Sequence, residues 1–172
     1  TSGVEIITVT ATGADTTVLD TSATTGLTTI NVTNSVAGTF RADKLTGTEA
    51  IVVKGAANAA SIVEGKLASA SGATDSLTFH TNSTTTTDGW GIKTDDIETV
   101  TIKAVLTDTV DLSGLAMTTA GKVMTLNATG ATALTVSATN ADVTTIDASG
   151  MTTGGSFVQT GRSATAASTY TG

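Results

Sequence analysis

The sequence predicts an all-β chain that folds as a parallel β-solenoid of about seven coils, with two short strands in each coil. Three observations lead to this fold class. Threonine fills about a quarter of the 172 positions, aromatic residues make up 3%, and proline and cysteine are absent. Amphipathic strand patterns recur along the whole chain. The distance between successive patterns stays between 20 and 26 residues.

The composition favours strands over helices. Threonine and valine branch at Cβ, which stiffens the side chain and suits a pleated surface. A chain of 172 residues is long enough to bury a sizeable core as one unit. We expect a single solenoid domain over residues 1–172. Because both termini read as the middle of a repeat, we also expect it to be a segment of a larger chain.

The first strand of each repeat alternates apolar and polar residues, as in Ile97–Lys103. This alternation is the signal of a strand with one buried face. Aligned on the central aliphatic residue, the repeats place these side chains in one column: Ile7, Ile30, Ile51, Leu77, Val100, Leu126 and Ile146. A second apolar column follows two residues later: Val9, Val32, Val53, Phe79, Ile102, Ala128 and Ala148.

A second strand follows in each repeat after a turn rich in Gly, Asn, Asp or Ser. The predicted second strands cover residues 17–20, 39–41, 61–63, 90–92, 110–112, 134–137 and 156–158. Repeats of this length with two strands fit one coil of a solenoid, in which stacked coils share a continuous core. The alternative fold is an antiparallel β-sandwich, which explains the alternation but not the phase kept over seven units.

The charge distribution excludes nucleic acid as an expected partner. The formal net charge is -7 and the eight Lys and Arg residues are scattered along the sequence, whereas phosphate binding needs clustered basic side chains. We expect no membrane span, because no apolar run is long enough.

An acidic column is the first candidate site. The alignment stacks Glu49, Asp75 and Glu98 on neighbouring coils, and stacked carboxylates repel one another. A calcium ion would relieve this repulsion, since calcium prefers hard oxygen ligands. The alternative, which we favour, is that these residues begin their strands in solvent, where they splay apart or accept backbone N–H bonds.

A second candidate metal site lies around Trp90, where Asp88, Asp95 and Asp96 follow one another closely. The favoured alternative is turn chemistry. Trp90 itself is either an exposed contact for a partner or glycan, or a local anchor at the coil edge. Asp108 and Asp111 flank Val110 and are predicted to be exposed.

The sequence predicts no enzyme. His80 is the only histidine, and although Ser76 and Asp75 are near it in sequence, no nucleophile-elbow motif accompanies them. We expect His80 to face outward from its strand. Arg41 and Arg162 lie too far apart for a solenoid polysaccharide lyase, so a carbohydrate-active enzyme is the least favoured function.

Three segments carry a family resemblance: Asp96–Val100, Thr145–Ser149 and Thr169–Gly172. They resemble the repetitive part of bacterial surface-layer (S-layer) proteins of the type I-secreted, RTX-associated kind. The resemblance implies an extracellular β-solenoid that assembles into a lattice, often with calcium. The full Gly-Gly-x-Gly-x-Asp repeat of that family is missing here, so calcium binding by nonapeptides is not implied within these residues.

We therefore expect a secreted structural protein of the bacterial cell surface that self-assembles into a sheet or filament. Its partner would be other copies of itself. The alternative is a stalk or adhesin segment of a large RTX protein, which would display the loop between His80 and Trp90 to a cell-surface glycan.

Overall fold

The computed structural model describes residues 3–34, 37–56, 60–72, 74–83, 89–161 and 169–172. These residues form fifteen strands and no helix, and so contain no helix that could cross a membrane. The strands are β1 (Ile6–Ala11), β2 (Thr17–Asp20), β3 (Thr29–Asn34), β4 (Thr39–Leu45), β5 (Ala50–Ala56), β6 (Ile62–Leu67), β7 (Ser76–Thr81), β8 (Trp90–Asp95), β9 (Thr99–Ala104), β10 (Asp108–Ala116), β11 (Met124–Gly130), β12 (Ala133–Thr139), β13 (Val143–Met151), β14 (Ser156–Gln159) and β15 (Thr169–Thr171).

The strands form two parallel sheets. The first sheet contains the odd-numbered strands in chain order, from β1 to β15, and the second contains the even-numbered strands, from β2 to β14. Each strand pairs with the equivalent strand of the next coil, always in parallel. The predicted β-solenoid is therefore confirmed, with about six turns, and the antiparallel sandwich is excluded.

The hydrophobic core lies between the two sheets. Along each strand every second side chain points into it, which is the expected consequence of the β-pleat. In β9, for example, Val100 and Ile102 are fully buried, while Lys103 is exposed. The largest buried side chains are Trp90, Phe40 and Phe79, so three of the five aromatic residues of the chain fill this core.

The predicted register is correct at five of the six junctions between first strands but wrong between β5 and β7. Ile51 pairs with Phe79 and not with Leu77. Gly65, on the facing strand β6, makes room for this arrangement. A side chain at Gly65 would meet Ile51, Leu77 and Phe79 at 3.1–3.3 Å. The absence of a side chain there lets the phenylalanine ring occupy the core opposite Ile51.

Candidate functional site

Five carboxylates lie along the edge where the chain passes from the second sheet to the first. We call this row the acidic edge; its members are Glu49, Asp75, Asp96, Glu98 and Asp142. Each of them accepts at least one hydrogen bond from a backbone N–H group. Such charge-assisted bonds are stronger than hydrogen bonds between neutral groups.

Glu49 caps its own turn. Its side chain is buried, and its carboxylate accepts N–H bonds from Thr46 (3.0 Å) and Gly47 (3.0 Å). The hydroxyl of Thr46 also donates to it at 2.8 Å. Because Ala50 pairs with Thr78, the register places Glu49 two residues away from the predicted position beside Asp75. The predicted stack of three acids is therefore reduced to Asp75 and Glu98.

Asp75 and Glu98 lie on neighbouring coils, and Glu98 is paired with a lysine. The backbone N–H of Asp75 donates to Glu98 at 3.0 Å. The Lys122 ammonium group donates to the other oxygen of Glu98 and to the carbonyl oxygen of Gly72, the latter at 2.6 Å. Burial alone would raise the pKa of Glu98, but the hydrogen bonds from Lys122 and the backbone bring it below its usual value. A side-chain cation thus lies where the calcium was predicted.

Asp96 and Asp142 lie on two coils that are separated by one other coil. Both carboxylates bind backbone N–H groups of that intervening coil, just after β10. Asp96 adopts a left-handed backbone conformation, with φ at 57°. Its carboxylate accepts N–H bonds from Thr118 at 2.8 Å and Thr119 at 2.9 Å. Hydrogen bonds from Thr118 and Thr119 lower the pKa of Asp96. Asp142 accepts the N–H of Met117 from the other side, at 2.9 Å.

The predicted metal site around Trp90 is divided between two parts of the molecule. Asp95 ends β8 on the second sheet, 3.6 Å from the ammonium group of Lys66, whereas Asp96 turns toward the following coil. Asp88 lies outside the described residues. Within the described residues, no three acid, histidine or cysteine side chains form a group that could hold a metal ion.

Trp90 and Asp108 form a buried pair at the opposite edge, where the chain passes from the first sheet to the second. Trp90 is fully buried, and its Nε1 donates to Asp108 at 3.2 Å. The prediction that Asp108 is exposed is therefore wrong, since only 1% of it is accessible. Burial raises the pKa of Asp108 to about 6, against hydrogen bonds from Trp90, Thr109 and Ser83 that lower it. Asp111 is half-buried on the outer face.

His80 faces outward from β7, as predicted, and is half-buried beside Val52 and Lys103 of the neighbouring strands. Burial lowers its pKa, and the positive charges of Lys103 and Lys54 lower it further. Ser76 is exposed and lies four residues before His80 on the same strand. Arg162 lies outside the described residues.

The largest concentration of charge lies on the outer face of the second sheet and was missed by the sequence analysis. We call it the charged patch; its members are Arg41, Asp43, Lys44, Glu64, Lys66, Lys93 and Asp95. Strand pairing places Arg41 beside Glu64, and Glu64 beside Lys93. The sequence does contain a signal for this patch. Two charged residues two positions apart recur on three successive second strands.

The acids of the charged patch are paired with its bases. Glu64 is only 4% exposed, and its Oε1 atom lies 3.4 Å from the ammonium groups of both Lys66 and Lys93. Arg41 donates from Nη2 to Asp43 Oδ2 at 3.1 Å. Its Nε atom lies 2.9 Å from Oδ1 but is poorly aligned for a hydrogen bond. The patch thus contains four positive and three negative groups, and all of them except Lys44 form ion pairs within the described residues.

Comparison with protein-family models, with curated proteins and with solved structures found no significant match to this chain.

Proposed function

We propose that this chain is a structural β-solenoid of the bacterial cell surface, which assembles head to tail into a filament or into the rows of a surface layer. The proposal combines the S-layer resemblance of the sequence with the repeating geometry of the fold. In a parallel solenoid every coil offers the next one the same strand edges. A second copy can therefore continue both sheets without any change in shape.

The single observation that carries the proposal is the state of the core at the first and last coils of these 172 residues. Apolar side chains that are fully buried in the middle coils are only partly buried at the ends. At the first coil these are Ile7, Val9 and Leu19, and at the last they are Ala148, Met151 and Phe157. Tyr170, which faces inward on β15, is 55% exposed. A stacked coil would bury these surfaces at roughly 25 cal/mol per Å².

The strand edges support the same mode of association. Within the described residues β1 and β2 begin the two sheets, and β14 and β15 end them, each with a partner on one side only. Open edges are templates for pairing with another chain. Because all strands are parallel, the edge of one end matches the edge of the opposite end. Contacts of this heterologous kind produce open filaments.

The test uses one substitution at each end and one control. Tyr170→Lys places an ammonium group on the part of the core that a stacked copy would cover at the last coil. Leu19→Lys places one at the corresponding part of the first coil. Each charge can reach water in the free protein but not in the interface, where burying it is costly. Val123→Lys is the matched control, since Val123 is also 55% exposed but lies in a turn of a middle coil.

Sedimentation velocity and electron microscopy should show oligomers or fibres for the wild type and for Val123→Lys, and monomers for each end variant. Each end variant keeps one intact end, so mixing Tyr170→Lys with Leu19→Lys should give a 1:1 dimer that grows no further. A wild type that stays monomeric at all concentrations, or end variants that assemble like the control, would contradict the proposal.

The same measurements test calcium. Each sample is run with a chelator and again with millimolar calcium. Assembly that occurs only with calcium would support the calcium site predicted from Glu49, Asp75 and Glu98. Since the oxygens of these residues already accept N–H bonds, we expect the same assembly in both conditions.

A further inference from the structure

Three basic side chains lie together on the outer face of the first sheet. We call them the basic cluster; its members are Lys54, His80 and Lys103. His80 on β7 pairs with Lys103 on β9 and, on its other side, with Val52 on β5. Lys54 follows Val52 by two residues and is exposed. Because neighbouring strands lie about 4.8 Å apart, the three strands of the cluster span about 10 Å.

The basic cluster has no acid to neutralise it within the described residues. Both of its lysines are exposed, and neither forms an ion pair. The charges that act on His80 are those of Lys103 and Lys54, which are both positive. Asp147 faces outward on the same sheet, but it lies on β13, three strands away from β7. The basic cluster differs in this respect from the charged patch, whose cations are paired with one exception.

The environment of His80 reflects the positive field of this cluster. Burial lowers the pKa of His80, and the charges of Lys103 and Lys54 lower it further. At neutral pH the imidazole ring is therefore neutral, and the cluster carries the two charges of its lysines. On a chain whose net charge is -7, such a local field attracts anions. An anion bound here would offset the lysine charges and let the ring take up a proton.

The outer face beneath the cluster is closely packed. Val52 points outward between Asn31 and His80, yet it is only 8% exposed, so neighbouring side chains cover it. His80 is itself half-buried. The imidazole ring is thereby held between the strands that carry the two lysines, which reduces the entropy that binding of a ligand costs.

The hydrogen-bonding groups of the cluster define the kind of anion that fits. An ammonium group can only donate hydrogen bonds, and a protonated imidazole ring donates from both nitrogens. Thr129, the partner of Lys103 on β11, adds a hydroxyl group that can also donate. These donors suit a ligand whose oxygens only accept hydrogen bonds. The two lysine charges match a dianion, whereas a monoanion such as a single carboxylate leaves one of them unpaired.

We propose that the basic cluster binds a dianionic oxyanion, either free phosphate or the terminal phosphate group of a larger molecule. Lys54 and Lys103 donate to its oxygens from the two outer strands of the cluster, and His80 donates from the strand between them. Binding is coupled to protonation of His80, since the negative charge of the ligand favours the charged ring. By linkage, a ligand that keeps both of its charges binds more tightly as the pH falls.

The test follows the ring signals of His80 by NMR during a pH titration, which is unambiguous because His80 is the only histidine. Sulfate is the probe, since it stays a dianion over the whole titration. Sodium chloride at the same ionic strength is the control, because salt alone screens the lysines and so raises the pKa of His80. The variants are Lys54→Gln and Lys103→Gln. Lys44→Gln is the matched control, since Lys44 is also exposed and without an ion pair in the described part of the chain but lies on β4 of the second sheet.

Sulfate should raise the pKa of His80 by about 0.5 relative to chloride, which corresponds to binding about threefold tighter to the protonated form. Lys54→Gln and Lys103→Gln should each remove half of this increase or more, and Lys44→Gln should leave it unchanged. Equal pKa values in sulfate and chloride, or equal losses in all three variants, would overturn the inference.

A second titration distinguishes free phosphate from a phosphate group of a larger molecule. It compares the amide shifts of β5, β7 and β9 caused by inorganic phosphate and by glycerol phosphate at about pH 8, where both are mostly dianions. Equal shifts assign the site to a terminal phosphate group, shifts from inorganic phosphate alone assign it to the free ion, and shifts from neither overturn the inference. All spectra are also recorded for Tyr170→Lys, whose substitution lies on β15, three strands away from β9, so the outcome does not depend on end-to-end assembly.

Discussion

The two edges of the solenoid contain carboxylates whose pKa values are shifted in opposite directions. At the acidic edge, Glu98 and its neighbours are bound by backbone N–H groups and by Lys122, and the pKa of Glu98 lies below its usual value. At the opposite edge Asp108 lies inside the core beside Trp90, and its pKa is raised to about 6. Both Glu98 and Asp108 accept hydrogen bonds from nearby donors. The difference between these two acids is that Glu98 pairs with a lysine near the surface, whereas Asp108 has lost its contact with water.

This difference shows what controls the charge of Asp108. Asp108 accepts bonds from Trp90, Thr109 and Ser83, as many as Asp96 accepts at the acidic edge. Those bonds do not compensate for its complete burial, since removing a carboxylate from water is more costly than a few neutral donors can repay. Lowering the pH should therefore weaken the contributions of Asp96 and Glu98 to stability and strengthen that of Asp108.

The largest expected effect comes from breaking the buried pair at Trp90. Trp90→Ala removes the largest buried side chain and leaves a cavity together with an unpaired Asp108. We expect a loss of about 3–5 kcal/mol in the free energy of unfolding, measured by urea denaturation followed by circular dichroism. Trp90→Phe keeps most of the ring but not the N–H donor, and should cost about 1–3 kcal/mol. A loss below 1 kcal/mol for Trp90→Ala would contradict the packing described here.

The second effect concerns the pH dependence of the opposite edge. The folded-state pKa of Asp108 is raised from 3.8 to about 6, so the folded protein holds this proton more tightly than the unfolded chain. The contribution of Asp108 to stability is therefore most favourable below about pH 4 and declines as the pH rises toward 6. The decline is roughly 3 kcal/mol at most.

Asp108→Asn should remove this decline, so the difference between wild type and variant should change between pH 4 and pH 6. Urea denaturation at several pH values measures it. Asp111→Asn is the control, because Asp111 lies on the same strand but faces outward. A difference that stays constant with pH would show that Asp108 titrates normally.

The smallest effect is expected at the acidic edge. Glu98→Gln removes the partner of Lys122 and should lower the free energy of unfolding at pH 7 by up to about 1 kcal/mol, since the pair lies near the surface. The pKa of Glu98 is lowered in the folded state, so this stabilisation is present above pH 4.5 and is lost as the pH falls. Thermal unfolding at pH 7 and pH 3 checks the sign, with Glu5→Gln on the first coil as control. A larger penalty at pH 3 would refute it.

Most of the fold could be predicted from the sequence, because the period of two along each strand and the repeat length are both visible in it. The error between β5 and β7 has a physical cause. A slip of one residue would turn every side chain to the other face, but a slip of two preserves the faces. Whether Leu77 or Phe79 pairs with Ile51 depends on the space that Gly65 leaves in the core. Gly65 belongs to the facing sheet, so the periodicity of β5 and β7 does not reveal this space.

The sites were harder to predict for the same reason. Asp108 lies two residues before Val110 and so shares its inward face once β10 begins at Asp108. The short strand predicted over 110–112 concealed this relation. The charged patch is built from pairs of outward-facing residues such as Glu64 and Lys66. Whether these pairs come together in one patch depends on which strands are neighbours in the sheet. Lys122 reaches Glu98 from a turn 24 residues away, a contact that alignment of strands does not reveal.

The bonds made by Asp96, Glu98 and Asp142 cross from one coil to the next, some toward the following coil and some toward the preceding one. They give the molecule a mechanical property. Hydrogen bonds between coils run along the solenoid axis, so they bear any tension applied along it. Boundaries in the middle of the rod carry these carboxylate bonds in addition to the strand pairing. Under load, the coils joined by these carboxylates should therefore separate at a higher force than coils held by strand pairing alone.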